Sequence, residues 1–207
     1  MGERLGEEET LKTPSRRSKA LSIDSGYDIN LGMQTDVEIR ESQSTDIDAL
    51  VEMYPKVFPE EDLVPVLRDL LAAEQDVFSL VAVQDGNVIG HVGFSICGVD
   101  GQSGHVGMIA PLAVQPDQQR KGIGSALVQQ GFMRLESMGI DHAYVIGDPA
   151  YYGRFGFKSG GSVVPPYKLP DEWEQAWQSV SFSDNAPTMN GKIKVPAFWQ
   201  HPHLWLP

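Results

Sequence analysis

Apolar residues follow two periods along the chain, and the switches between them mark the elements. Val37-Glu38-Ile39-Arg40-Glu41 alternates, the period of a half-buried strand. Ile47, Leu50, Val51 and Tyr54 then recur at helical spacing, behind Ser44, Thr45 and Asp46, any of which can cap a helix. Pro55 and Pro59 read as punctuation after it. Leu63, Val66, Leu67, Leu70 and Leu71 share one face of a second helix over about residues 62–73. Residues 78–84 and 88–97 are apolar runs on either side of Asp85-Gly86-Asn87, a strand, tight turn, strand signal. Residues 105–114 (HVGMIAPLAV) predict a third strand of this meander. Pro111 lies inside it and cannot donate to a ladder, so a bulge or local splay is expected near residues 110–112. Ile123, Leu127, Gly131 and Leu135 stand four apart, which predicts a helix of about four turns that Gly139 ends. Residues 142–147 (HAYVIG) read as a strand, parallel to the previous one if the helix is a crossover. Residues 150–155 read as a short helix, and a late strand falls around residues 191–195.

The first 35 residues break this pattern. They are polar, nearly without aromatics and aperiodic, so they bury too little apolar area to offset their ordering entropy. The expected organisation is therefore a disordered extension over residues 1–35, a core over 36–160, and an aromatic-rich segment over 161–207 that holds all four tryptophans.

Composition narrows the function. The 207 residues are 41% hydrophobic, ordinary for a globular chain, and the net charge is −12. That charge opposes broad binding to nucleic acid or an anionic membrane, yet leaves room for a small anion held in a local positive site. The single cysteine, Cys97, sits in an apolar run and reads as a buried, inert thiol. No intramolecular disulfide or cysteine-based zinc site can form from it. No apolar run approaches the about 18 residues that span a bilayer. The acidic start lacks the order of a secretory signal, so a soluble, cytoplasmic setting is expected.

Candidate chemistry gathers at residues 118–128, QQRKGIGSALV. A nucleotide P-loop would need Lys-Ser or Lys-Thr after its last glycine, and a dinucleotide fingerprint would need a third glycine. Neither is present. A third kind of phosphate loop remains, in which Gly122 and Gly124 let backbone N–H groups approach a pyrophosphate at a helix start. A plain solvated turn would also fit the loop taken alone.

The stretch LAVQPDQQRKGIGSALVQQGF resembles the central motif of the GNAT acetyltransferase superfamily, (Gln/Arg)-x-x-Gly-x-(Gly/Ala), through Gln119, Gly122 and Gly124. YYGRFGF, some thirty residues on, is similar to the family's aromatic-Tyr-x-x-x-Gly-Phe element, and the order of elements from about Val37 to Phe157 also matches. GDPAYYGRFGF and VPAFW are similar to the bacterial YhbS-like branch. The resemblance implies an α/β (α+β) fold, a mixed and mostly antiparallel sheet splayed between two parallel strands. It implies acetyl-CoA as cosubstrate, with its pyrophosphate on Gln119, Arg120, Lys121, Gly122, Ile123, Gly124 and Ser125. It implies a pantetheine arm paired to Leu112, Ala113 and Val114, one of whose N–H groups would serve the oxyanion. It implies Tyr152 as general acid and Tyr151 as a packing aromatic.

The family's frequent strand glutamate has no counterpart in residues 107–114, so the base is open between a water chain, a histidine (His91, His105 or His142) and no dedicated base. Asp148 reads equally as a turn former. The acceptor implied is an amine of a small molecule or protein, and a homodimer is compatible with the reading. Two rivals stand beside it. One is a CoA-binding sensor without catalysis. The other is a transferase of a longer acyl group, with Phe94, Met108 and Ile109 lining a wider slot. HPHLW, residues 201–205, carries two histidines at poor metal spacing, and no metal is expected.

Overall fold

The computed structural model describes residues 37–205 and the backbone of Tyr27–Asp28. The expectation of disorder over residues 1–35 otherwise lies outside the described residues. Strands β1 (Tyr27–Asp28), β2 (Val37–Glu41), β3 (Val77–Gln84), β4 (Asn87–Val99) and β5 (His105–Val114) pair antiparallel in chain order. Helix α3 (Ile123–Ser137) then carries the chain to β6 (His142–Ile146), which pairs parallel to β5. Beyond β6 the order is β9 (Trp177–Ser181), then β7 (Lys158–Ser159), both joined antiparallel. β10 (Gly191–Lys194) pairs with the end of β4 and with β8 (Val163–Val164). The sheet is thus mixed and mostly antiparallel, as expected.

The splay falls at Pro111. Val92 faces Leu112 while Phe94 faces Ile109, so Ala110 and Pro111 bulge opposite Gly93. On the other edge β5 keeps β6 only at Gly107↔Ala143 and Met108↔Tyr144. From Ile109 onward that edge has no described strand beside it. A proline with no N–H stands where the ladder stops, which is the physical reason for the gap.

Each face of the sheet has its own cover. Ile123, Ala126, Leu127, Val128 and Leu135 of α3 pack on one face, against Phe78, Leu80, Ala82 and Phe94. On the other face lie α1 (Ile47–Val57) and α2 (Val64–Ala72). Leu50, Met53 and Tyr54 of α1 and Leu67 of α2 cover Val81, Val83, Val88 and Ala113. The C-terminal segment extends this second layer with Trp177, Trp199 and Trp205 over Cys97, Val106 and Met108.

Three local expectations are corrected. Pro55 does not end α1 but lies within its last turn, since the helix continues to Val57. Asp46 does not cap α1 with its side chain. Its carboxylate instead takes two bonds from Arg40, at 2.7 and 2.8 Å, and one from the Gln43 N–H at 2.7 Å. The Arg40 guanidinium holds Asp46 below the usual carboxylate range. The apolar pattern also marks no strand at residues 177–181. β9 carries no alternation because Trp177 and Gln178 are both buried.

Candidate active site

The bulge opens a cleft of about 860 Å³ on the face that carries α1 and α2. Its floor is the unpaired part of β5, Ile109 to Leu112, together with Ile146 and Gly147 at the end of β6. Trp173, Trp199 and Leu204 from the C-terminal segment and Phe58 and Leu63 from the α1–α2 connection form the walls.

Tyr152 enters from α4 (Pro149–Tyr152). Asp148 caps this turn by accepting the Ala150 N–H at 2.9 Å, so its turn-forming role is observed, and it lines the cleft as well. The Tyr152 ring packs against Gly147, where a Cβ would meet Cε2 at 2.5 Å, so only glycine lets the ring settle there. Tyr152 is 9% exposed, and its hydroxyl makes no hydrogen bond among the described residues. Burial, with a smaller contribution from Tyr151, pushes its pKa well above that of a free phenol. The side chain is therefore protonated at neutral pH and able to donate.

The glycine loop lies next to this cleft along the same strand. Leu112 and Val114 of β5 are half-buried, and Ala113 is fully buried against the α1 layer. The Gln119 amide donates to the Val114 carbonyl at 3.1 Å and so braces the loop on the strand. Arg120 and Gly122 both adopt left-handed backbone, at φ of 62° and 87°. Such turns gather successive N–H groups into a concave, anion-attracting surface. Gly122 is the N-cap of α3, and no side chain satisfies the N–H groups of the first turn. Ile123 buries its side chain in the α3 core, leaving its backbone for the loop. Lys121 bonds Gln118 at 3.0 Å and stays exposed, like Arg120. A 15-residue helix thus starts with free donors, its positive dipole end and two cations.

Tyr151, expected only to pack, reaches this loop. Its hydroxyl sits 2.5 Å from where a Gly124 Cβ would be, at the first turn of α3. Arg154 stacks over its ring at 4.5 Å and donates to its carbonyl at 2.9 Å. The short helix therefore joins cleft and loop, with Tyr152 facing the first and Tyr151 the second. Sequence reasoning missed Tyr151 because two adjacent tyrosines give no sign of which points where.

Other candidates fall elsewhere. His91 is fully buried, bonds the Tyr54 hydroxyl through Nδ1 at 2.7 Å, and leaves Nε2 without a partner. Burial lowers its pKa to about 3. His105 is exposed, and His142 bonds the Pro187 carbonyl. None of the three lines the cleft. Phe94 stacks on Phe78 and Met108 packs under the tryptophans, so of the wider acyl slot only Ile109 faces the cleft. Cys97 is fully buried and its thiol is pushed up to about 12, an inert group. No described helix is long and apolar enough to cross a membrane.

The central strand thus loses its β6 neighbour partway along and opens toward an uncapped helix start. A model of the acetyltransferase (GNAT) family matches residues 47–157. The uncharacterised N-acetyltransferase YjhQ of Escherichia coli K12 is 34% identical over 140 residues, 65% of this chain and 77% of its own. The uncharacterised N-acetyltransferase YhbS of the same strain is 31% identical over 159 residues, 75% of this chain and 90% of its own. The crystal structure of E. coli YhbS in complex with CoA superposes with a TM-score of 0.74 at 26% identity, covering 82% of this chain and 94% of that one. A GNAT acetyltransferase of Brucella melitensis in complex with acetyl-CoA gives 0.65 at 26% identity, over 79% and 98%. The chain belongs to the GNAT acetyltransferase family, in its YhbS-like bacterial branch, and is an acyl-CoA N-acyltransferase.

Proposed function

We propose that the protein moves an acetyl group from acetyl-CoA directly to an amine of a small molecule or a protein, with Tyr152 as general acid. The observation that carries this reading is the meeting of the unpaired β5 edge and the partnerless Tyr152 hydroxyl in one cleft, next to a loop of free N–H donors. The pyrophosphate sits on Gln119 to Ser125, and the two cations Arg120 and Lys121 offset part of its charge. The pantetheine arm takes the place of a strand beside Leu112, Ala113 and Val114, on the edge that no described strand occupies and where the Val114 carbonyl already accepts from Gln119. Residues 36–160 then supply the cosubstrate site, and residues 161–207 supply the acceptor side through Trp173 and Trp199.

The chemistry follows from that arrangement. The amine nitrogen attacks the thioester carbonyl, and a β5 backbone N–H stabilises the oxyanion. The C–S bond breaks, the amide forms, and the Tyr152 proton goes to the departing sulfur. A phenol is a weaker acid than a free thiol. Burial raises the phenol as well, so the proton moves together with C–S cleavage, as negative charge builds on the sulfur. The nitrogen's excess proton leaves to solvent, through water or the exposed His203 that lines the cleft, and the Tyr152 phenolate regains its proton from the same solvent.

Tyr152→Phe tests the role. Turnover in a thiol-release assay should fall by about 100-fold, with acetyl-CoA affinity by calorimetry changed less than about threefold. Unchanged turnover would reduce Tyr152 to a packing group.

A further inference from the structure

The mouth of the cleft has an unbalanced charge. Glu60, Glu61 and Asp62 approach from the α1–α2 connection, Glu172 from the turn before β9, and Asp148 from the start of α4. All five carboxylates are exposed, and against them the cleft lining among the described residues holds no lysine or arginine and one basic side chain, the exposed imidazole of His203. Glu60, Glu61 and Glu172 have no ion-pair partner among the described residues. The throat is the opposite. Ile109 and Trp199 are 1% and 5% exposed, and the nine-tenths-buried Tyr152, whose hydroxyl has no hydrogen-bond partner among the described residues, lines it beside them.

These two zones make opposite demands on an amine. Carboxylates near a nitrogen hold it as ammonium, which cannot attack a carbonyl. An apolar throat penalises the charged form and favours the neutral, reactive one. A substrate with one nitrogen would be held protonated at the rim or would enter the throat without help. A substrate with two can use both zones. We propose that the acceptor is a small aliphatic amine bearing at least one further cationic group. The second cation docks at the carboxylate rim, and the reacting amine loses its charge in the throat beside Tyr152. The hydrocarbon between them runs along Phe58, Leu63 and Trp173. Binding energy from the remote cation then offsets the cost of desolvating the reacting nitrogen.

This inference rests on the acetyl-transfer reading above, and the test separates the two. Calorimetry with the CoA-loaded protein compares hexamethylenediamine with hexylamine, which have the same carbon chain. The diamine should bind about tenfold more tightly, the sum of a few exposed charge contacts, and the advantage should shrink in high salt. In the triple variant Glu60→Gln, Glu61→Gln, Asp62→Asn, which leaves Glu172 and Asp148, the ratio should fall to about two to three. The Asp62→Asn change keeps an acceptor oxygen for the Val64 N–H that Asp62 now bonds at 3.3 Å, so α2 should still start normally. Equal affinity for the two amines, or a ratio undiminished in the triple variant, overturns the dicationic acceptor. Preferential binding of a lysine peptide over the diamine also overturns it. Loss of CoA binding itself would instead overturn the cosubstrate reading.

Discussion

At the scale of single residues, His91 shows how burial fixes a charge state. It sits under α1, with Val81 and Ala113 opposite it on the neighbouring strands. Its pKa of about 3 when folded stands against 6.5 for a free imidazole, because burial outweighs the nearby Asp46 carboxylate. As pH falls from 6.5 toward 3, the unfolded chain takes up a proton that the folded one refuses, so stability drops over that window. Between pH 7 and pH 5 the loss should be about 2 kcal/mol in urea unfolding. His91→Asn, which keeps a partner for the Tyr54 hydroxyl, should flatten that dependence. Parallel curves for the two proteins would mean that His91 is not held neutral. Asp46, lowered chiefly by Arg40, adds a loss in the same direction at lower pH, as its ion pair is protonated away. Neither role was legible in the chain. The sequence shows a histidine in an apolar run, but not the tyrosine 37 positions earlier that meets it.

At the scale of elements, the loop before α3 and the bulge in β5 were both legible, for different reasons. Pro111 announces a broken ladder because its missing N–H is a property of the residue alone. Gly122 and Gly124 announce a tight helix entry for the same kind of reason. β9 was illegible because both Trp177 and Gln178 are buried, and Gln178 satisfies its amide on the Gly147 carbonyl at 3.0 Å. A strand buried on both faces shows no alternation. The position of Tyr151 over the loop was equally hidden, since it depends on how a four-residue helix turns. The loop makes its own prediction. Gly124→Trp should weaken acetyl-CoA binding by about 100-fold in calorimetry, because even a Cβ there would displace Tyr151. A circular dichroism spectrum like that of the unsubstituted protein would show that the fold persists. Unchanged affinity would remove the phosphate assignment.

At the scale of the whole molecule, the C-terminal segment is part of the sheet as well as a wall of the cleft. β9 stands between β6 and β7, and β10 closes on β4. Trp199 both donates to the Ser95 hydroxyl at 3.0 Å and lines the cleft. The C-terminal segment and the rest of the described chain therefore fold as one body. The half-paired β5 has a consequence for such a body. A sheet edge open to solvent invites another chain, yet this one lies mid-sheet, walled by helices and tryptophans. The gap can be closed by a narrow, flexible chain carrying amide groups, and the pantetheine arm is one. The ligand would then behave as a removable strand of the sheet, and its loss as a local unfolding without movement of the backbone. Acetyl-CoA at about 100 times its Kd should add about 2.7 kcal/mol to unfolding, read as a rise in Tm of several degrees. Phosphate alone, filling only the loop, should give a small part of that rise. An equal rise from both would mean that the strand edge is not what the cosubstrate completes.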